Sequence, residues 1–455
     1  MRLKTSAQMY LELLFPSSRK IVEQHRAQYR SINQILLDNP QILDLAHADF
    51  CQYLSESEEG REGRYTSDEI LRALVVMFVE QDSYRDAVIR IEDSESLRRF
   101  VGLGMYKIMM DFSFMSKAYA ALAPKTWKAM NDALGQYARD KRQISGDDVR
   151  VDTTAYETSI HYPTDSSLLW DSFRVLARVL RRIQKQNPAL GLTHRYHVGK
   201  VKKAAHFISR NAASKVKGKQ VEVKRTYRRL LKYVRWIVSV SRQVRAILPL
   251  DDLDAPELER YEPLVERVVD QTQRRIFDGE IVPADEKLYS LFEEHTELLI
   301  RGKAGKPVEF GHMVLVAQTG EKFISHYRPL AKREPDPDLL PETLDAHRAL
   351  FGHDPGRLAA DKGFYQSVKQ LTALEQNIET VSICKKGRRD PRENARESAE
   401  AFKDGQRFRA GVEGSISVLK RAFKLNRCLF KGFKNFSSSV GCAVFCYNLV
   451  LLTRL

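Results

Sequence analysis

The sequence predicts an α/β protein: a mixed sheet that follows a helical N-terminal region and is interrupted by a long helical insertion. Three observations predict it. Up to about residue 145, apolar side chains recur at helical spacing. From Asp148 onward, short alternating stretches are interspersed with helical ones, the order expected of a sheet with antiparallel and parallel pairs. Between the first two strands, residues 172–300 read as helix.

The N-terminal region shows the pattern best at residues 67–80, where a polar start precedes Ile70, Leu71, Leu74, Val75 and Phe78. Another helix is expected at 84–91, and Pro124 opens one that runs through Tyr137. At Val149, Val151 and Thr153 the period changes to two, with Arg150, Asp152 and Thr154 between them. Further strands are expected at 308–317 and, after the Thr319-Gly320 turn, at 322–327. Residues 331–341 form a loop with three prolines, and 341–350 a helix. A short strand at 357–361 ends in the turn Asp361-Lys362-Gly363. A helix at 365–376, a strand at 380–384 and a basic loop at 385–392 lead into the closing helices.

A chain of 455 residues is too long for one small core, so two or three domains are expected. The division read from the sequence is residues 1–145, then 146–171 with 301–455, with 172–300 as the insertion. The net charge of +15 favours a polyanionic partner, since cations placed near phosphates release condensed counterions. A membrane is disfavoured: the apolar run 440–452 is short of the ~20 residues of a span, and the stretch 9–15 contains Glu12 and lacks a cleavage site. Five cysteines fit a reducing cytoplasm. Cys442 and Cys446, one helical turn apart with no histidine nearby, read as small buried apolar residues.

The insertion is split by charge. Residues 171–250 hold 21 Lys+Arg against two acids, whereas 251–300 hold five against 15. Tyr227, Tyr233 and Trp236 lie among the cations. The basic part, with Lys224, Arg225, Arg228 and Arg229, therefore reads as a nucleic-acid arm. The plainer alternative is a helical hairpin whose basic half pairs with its own acidic half or with a sister subunit.

Phosphoryl transfer on DNA calls for a few carboxylates on rigid elements, because divalent ions held by oxygen ligands do most of the work. Asp152 stands mid-strand, where aspartate is disfavoured. Asp361 ends a strand, a position where ligand groups collect in α/β sheets, although aspartate there also simply forms turns. Glu413 falls with Arg409 and Lys420 within about 40° of one helix face, bordering the stripe of Val412, Ile416, Leu419 and Phe423. That pattern places the glutamate at the core edge, while the ordinary reading is an exposed Arg–Glu pair. Gly411 and Gly414 flank it at a cost to helix stability, which points to a close backbone approach.

These three segments, in this order, resemble the DDE transposases of bacterial insertion sequences, in particular the ISNCY group. "TTAYETSIHYPTDSSLLWD" resembles its first-aspartate region, "ADKGFY" the second, and "EGSISVLKRAFKLNRCLFKG" the glutamate helix. "LRALVVMFVEQDSYRDAVIRIEDSESLRRFVGLG" resembles the helical domain before the catalytic core, and "VFCYNLVLLTRL" the usual closing helix of a complete chain. The resemblance implies a ribonuclease H-like core in which Asp152, Asp361 and Glu413 bind two Mg²⁺ ions, with Mn²⁺ able to substitute. It implies cleavage of element ends and their joining to target DNA. It also implies a homo-oligomer acting on double-stranded DNA in the bacterial cytoplasm, with no membrane. Arg409 and Lys420 match the Arg and Lys of the family's Tyr-Arg-Glu-Lys signature, and Lys362 beside Asp361 joins them as a DNA-contacting cation. The signature's tyrosine falls at Gln406, so the sequence departs there. His161, Tyr162, Asp165 and Trp170 also match the group, although packing or capping is their ordinary role, and Asp165-Ser166-Ser167 reads as a helix start. The segment "GKAGKP" lacks the end of a phosphate loop, and His194, His197 and His206 are too loosely spaced for a metal site. The rival readings are a metal nuclease of the same fold without strand transfer and a domesticated, non-catalytic DNA-binding protein.

Overall fold

The computed structural model describes residues 3–5, 17, 19–54, 64–104, 107–141, 143–249, 251–303 and 305–455; the apolar stretch 9–15 lies outside them. It divides into two compact units, Met1–Glu157 with His312–Leu455, and Thr158–Gly311.

The first unit begins with α1 (Lys20–Asp38), α2 (Pro40–Tyr53), α3 (Ser67–Val79), α4 (Tyr84–Asp93), α5 (Glu95–Val101), α6 (Phe112–Ala121) and α7 (Pro124–Asp140). Thr66 caps α3 in a reciprocal box with Glu69. Ile70, Leu71, Leu74, Val75 and Phe78 are buried as expected, but so are Ala73, Val76 and Met77 on the other sides. The helix is therefore a central strut surrounded by its neighbours, not an amphipathic surface helix. β1 (Asp148–Thr158) follows and carries the chain to the second unit.

That unit is built on α8 (Asp165–Gln186), α9 (Val198–Asn211), α10 (Lys217–Ile247) and α11 (Ala255–Ile276), which share one apolar core. The start of α8 lies one residue earlier than expected: Thr164 is the cap, boxed with Ser167, while Asp165 is buried and held 2.8 Å from Arg275. The insertion is not helical throughout 172–300. Helix ends at Ile276, Gly279 takes a left-handed φ of 70°, and β2 (Glu297–Lys303) forms a strand. Leu298 and Ile300 of β2 register with Phe310 and Val308 of β3 (Lys306–Thr319), a ladder of apolar and β-branched residues that a helical reading hides.

β3 returns the chain to the first unit at His312. There follow β4 (Ile324–Pro329), α12 (Leu340–Phe351), β5 (Arg357–Ala360), α13 (Val368–Glu375), β6 (Thr380–Ser382), α14 (Pro391–Ser398), α15 (Glu400–Ala422), β7 (Arg427–Cys428) and α16 (Gly432–Leu452). Lys322 adopts a left-handed φ of 71° in the turn, so β4 starts two residues later than the sequence suggests. The sheet order is β2-β3-β1-β5-β6, with β4 on β3 and β7 on β1. β1–β5 and β5–β6 are parallel, and β2–β3 and β3–β4 antiparallel. Val149, Val151, Leu358 and Ala360 pack with Leu340 and Leu344 of α12 and Leu371 of α13. Val314 and Val316 belong to the core shared by α16 and the N-terminal helices.

α16 begins before the apolar run visible in the sequence, and its 21 residues are long and apolar enough to cross a membrane. Within the unit it is a core helix. Asn131 of α7 donates to the Gly441 carbonyl at 3.0 Å, and Asn448 pairs with both the amide and the carbonyl of Ile324 at 3.0 Å. Cys442 and Cys446 are fully buried, as expected.

His326 of β4 and His347 of α12 are both buried, and burial pushes each imidazole down to about 4. The folded values lie below the ordinary 6.5, so these groups contribute stability that is complete above about pH 6.5 and is lost as pH falls toward 4. Each is expected to cost about 2 kcal/mol between pH 7 and pH 5, read by urea denaturation. A flat profile through that window would show that neither histidine is kept neutral by the fold.

Candidate active site

Register, rather than sequence proximity, brings the first two carboxylates together. β1 and β5 run parallel with Val151 opposite Ala360, so Asp152 and Asp361 are the next residues along adjacent chains. Val151 and Ala360 face α12 and α13; strand alternation turns Arg150 and Asp152 to the other face. Asp361 does not continue the strand but caps the short turn after it, accepting from the Gly363 amide at 2.6 Å. Asp152 accepts from the Thr153 amide at 2.7 Å and is partly exposed. β1 is otherwise covered on both faces, because it is a central strand.

α15 lies across that second face. The Cβ of an alanine at Gly405 would stand 2.6 Å from the Ser382 Cβ of β6, and one at Gly411 would stand 3.1 Å from the Arg150 Cζ of β1. These two glycines let the helix axis approach the sheet. Gly414 has open space around it and serves no such contact. Between the two glycines, the Gln406 carboxamide donates to the Ser382 carbonyl at 2.6 Å and stands 3.5 Å from that of Ala360. Where the signature has tyrosine, this chain thus uses an amide to tie the helix to two strand ends. Arg150, buried on β1, donates to the Phe408 carbonyl at 2.9 Å and to Gln318 at 2.8 Å, with its guanidinium over the Phe408 ring. Burial lowers its pKa. The sequence reading passed over Arg150, which joins the strand of Asp152 to the helix of Glu413. A buried arginine two residues before an acid on the same strand face was the available signal.

Glu413 follows Gly411 on α15 and lies on the same side as Gln406, two turns on. It is not held at the core edge: its side chain is 68% exposed and stands 3.4 Å from the partly buried Arg409, the i,i+4 pair that the sequence also allowed. Val412, Ile416, Leu419 and Phe423 are buried as expected. Arg409 and Lys420 are partly buried beside that stripe, and Lys362 is exposed next to Asp361.

The structure adds a carboxylate from the loop with three prolines. Asp336, between Pro335 and Pro337, lies over the Asp361 turn, and its Oδ1 is 3.4 Å from the Thr153 hydroxyl. Burial and the neighbouring charge of Asp361 raise its pKa. The donors gathered here are carboxylate oxygens, which suit Mg²⁺ or Mn²⁺ and not zinc. Among the described residues, no three His, Cys, Asp or Glu side chains close around a common point as they stand.

Two family models match the chain: one described as a transposase DDE domain over residues 270–449, the other as a transposase domain (DUF772) over residues 16–121. The chain belongs to the insertion-sequence DDE transposases. The first match takes in Asp361 and Glu413, while Asp152 lies outside both. No curated protein and no solved structure matches the chain. The mixed sheet flanked by helices is the ribonuclease H-like core of this transposase family, with a helical N-terminal region before it.

In the second unit of the transposase, the charges sort themselves. Arg178 and Arg182 of α8 pair with Glu257 of α11, and Arg245 and Arg242 of α10 pair with Glu262 and Glu266. The acidic part is thus partly consumed by its own basic part, as the plainer alternative had it. The first half of α10 is different. Lys224, Arg225, Arg228 and Arg229 are exposed, and none has an ion pair among the described residues. Arg228 lies over the Phe277 ring at 5.3 Å. Tyr162 is 69% exposed, His161 lies 3.5 Å from Asp171, and Trp170 packs against the unit's core.

Proposed function

We propose that this transposase cleaves the ends of its element and joins them to target DNA, with Asp152, Asp361 and Glu413 holding two divalent ions. The observation that supports the reading is the β1–β5 register, which makes Asp152 and Asp361 the next residues along two adjacent chains, with the helix of Glu413 packed close to β1 and β6 at Gly411 and Gly405. Mg²⁺ or Mn²⁺ bound there would supply charge neutralisation at phosphorus and an acidified water. The protein's own part is positional. Asp152 and Asp361 present carboxylates from β1 and from the turn after β5, and Arg150 and Gln406 tie α15 to the strands. With ions bound, Glu413 would give up its long contact with Arg409, and Arg409 would then be available to a phosphate. Lys420 and Lys362 add positive charge, and the exposed half of α10 binds duplex DNA. The working division follows the sequence: a helical domain at 1–145, the catalytic core at 146–171 with 301–455, and the insertion at 172–300. The protein acts as a homo-oligomer on paired ends in the cytoplasm.

The test is an end-cleavage and strand-transfer assay on the element's own ends. Activity is expected with Mg²⁺ or Mn²⁺, while Ca²⁺ supports binding without turnover, because two-metal chemistry needs tight octahedral geometry. Full cleavage in excess chelator would sink the mechanism. Cleavage without joining would leave a nuclease, and binding without either would leave a non-catalytic DNA-binding protein.

A further inference from the structure

We infer that the basic loop 385–392 binds DNA backbone phosphates beside the Asp361 turn, with Lys386 fixing the loop there and Arg388 and Arg392 making the contacts. The inference rests on the reading just given and names where the DNA lies against that site. Between β6 and the first turn of α14, residues 385–392 carry five cations and one acid. The structure sorts these charges. Lys385 pairs with Asp390 at 3.1 Å, and Arg389 with Glu397 at 2.8 Å. The Lys386 ammonium donates to the Gly363 carbonyl at 2.8 Å, which ties the loop to the turn after Asp361. Arg388 and Arg392 are exposed, and neither has an ion pair among the described residues. Two residues of chain span at most about 7 Å, so Arg388 leaves the backbone close to that tie. Arg392 lies in the first turn of α14, where the helix dipole disfavours a cation, so the helix gives no reason for the charge. The loop is held at its other end as well. The Lys385 amide donates to Glu397 at 2.9 Å, Asp390 caps α14 by accepting from the Glu393 amide at 2.9 Å, and Arg396 donates to the carbonyls of Val381 and Ile383 at 3.1 and 2.9 Å. A loop so tied loses little freedom on binding. The two guanidiniums it leaves without acids suit phosphate oxygens, which they meet with a planar fork of donors.

The experiment is a salt titration of DNA binding by the full-length protein in Ca²⁺. One arm uses a labelled duplex carrying the element's end. The other uses an unrelated plasmid duplex and protein already loaded with that end. The variants are Arg388→Gln with Arg392→Gln, Arg388→Lys with Arg392→Lys, Lys386→Met and, as a control, Arg407→Gln on α15, whose guanidinium is engaged by Glu400 and Asp404. The double glutamine variant is expected to take about 1.8 from the slope of log affinity against log salt, two contacts at about 0.9 each. The double lysine variant keeps the charges and is expected to keep the slope, and Arg407→Gln is expected to bind as the unaltered chain does. Lys386→Met is expected to lower affinity severalfold alone and to cost little more once Arg388 and Arg392 are glutamine, because the tie then has no contact to position. A flattened slope in the first arm assigns the phosphates to the element's end, and one in the second arm to the target. An unchanged slope in both arms, with the α10 cations still required for binding, would overturn the inference and leave the wider reading standing. An equal loss in Arg407→Gln would reduce the loop to general charge and overturn it too. Binding by the unaltered protein that does not depend on salt would overturn both.

Discussion

Asp152→Asn, Asp361→Asn and Glu413→Gln are each expected to abolish end cleavage and strand transfer together, by on the order of 10³-fold or more, while leaving fold and DNA affinity near native. The amides are nearly isosteric, so packing is preserved: Asp152 is only partly buried, Glu413 is largely exposed, and the Gly363 amide can still donate to an oxygen at position 361. What each variant loses is one negative oxygen in a site whose work is charge neutralisation. The two activities should fall in parallel if, as proposed, one set of carboxylates serves both steps. Glu157 lies near the end of β1, an odd number of residues from Asp152 and so on the opposite face, and Asp404 is occupied by Arg407 on the outer side of α15. Both should therefore tolerate the same change. Supercoiled-plasmid cleavage and strand transfer, run beside a binding titration, decide the matter. A triad variant that keeps native cleavage while Glu157→Gln or Asp404→Asn loses it would move the site elsewhere.

The second large effect concerns the arm. Replacing Lys224, Arg225, Arg228 and Arg229 by glutamine is expected to weaken DNA binding across sequences and to flatten its salt dependence. Each lost phosphate contact removes about 0.9 from the slope of log affinity against log salt on B-DNA. Four contacts would thus take about 3.6 from the slope, a drop of a hundredfold or more in affinity at moderate salt. These residues are the right ones to change because their helix sorts its charges. Further along α10, Arg242 and Arg245 are engaged by Glu266 and Glu262, and changing them would disturb the bundle. The four earlier residues point outward, and α10 keeps Val223, Tyr227, Leu230 and Leu231 for its core. Circular dichroism should therefore be unchanged. An unaltered salt slope would mean that the exposed cations serve self-association.

Much of the first unit is legible as local pattern. Ile70, Leu71, Leu74, Val75 and Phe78 announce a helix because 3.6-residue spacing places them together, and Val149, Val151 and Thr153 announce a strand by period two. The aspartates stood out because aspartate is unusual inside a strand and informative at its end. Resemblance then gathered three weak signals into one family, and the two transposase models agree on that family.

What the sequence by itself determined is thus the class of most elements, the excess of positive charge and the family. What only the tertiary structure decided is proximity, because proximity depends on which strand lies beside which. Strand β1 pairs with β5 across some two hundred intervening residues, and no local rule states that Val151 sits opposite Ala360. The same pairing brings Thr153 within reach of Asp336, an acid that in the sequence is one more polar residue in a proline-rich loop. It also explains Gly405 and Gly411, which weaken a helix on its own and are required once that helix lies against Ser382 and Arg150. The misreadings have the same cause. In β2, Leu298, Leu299 and Ile300 satisfy either period over so short a run, and only their partners on β3 settle which one they obey.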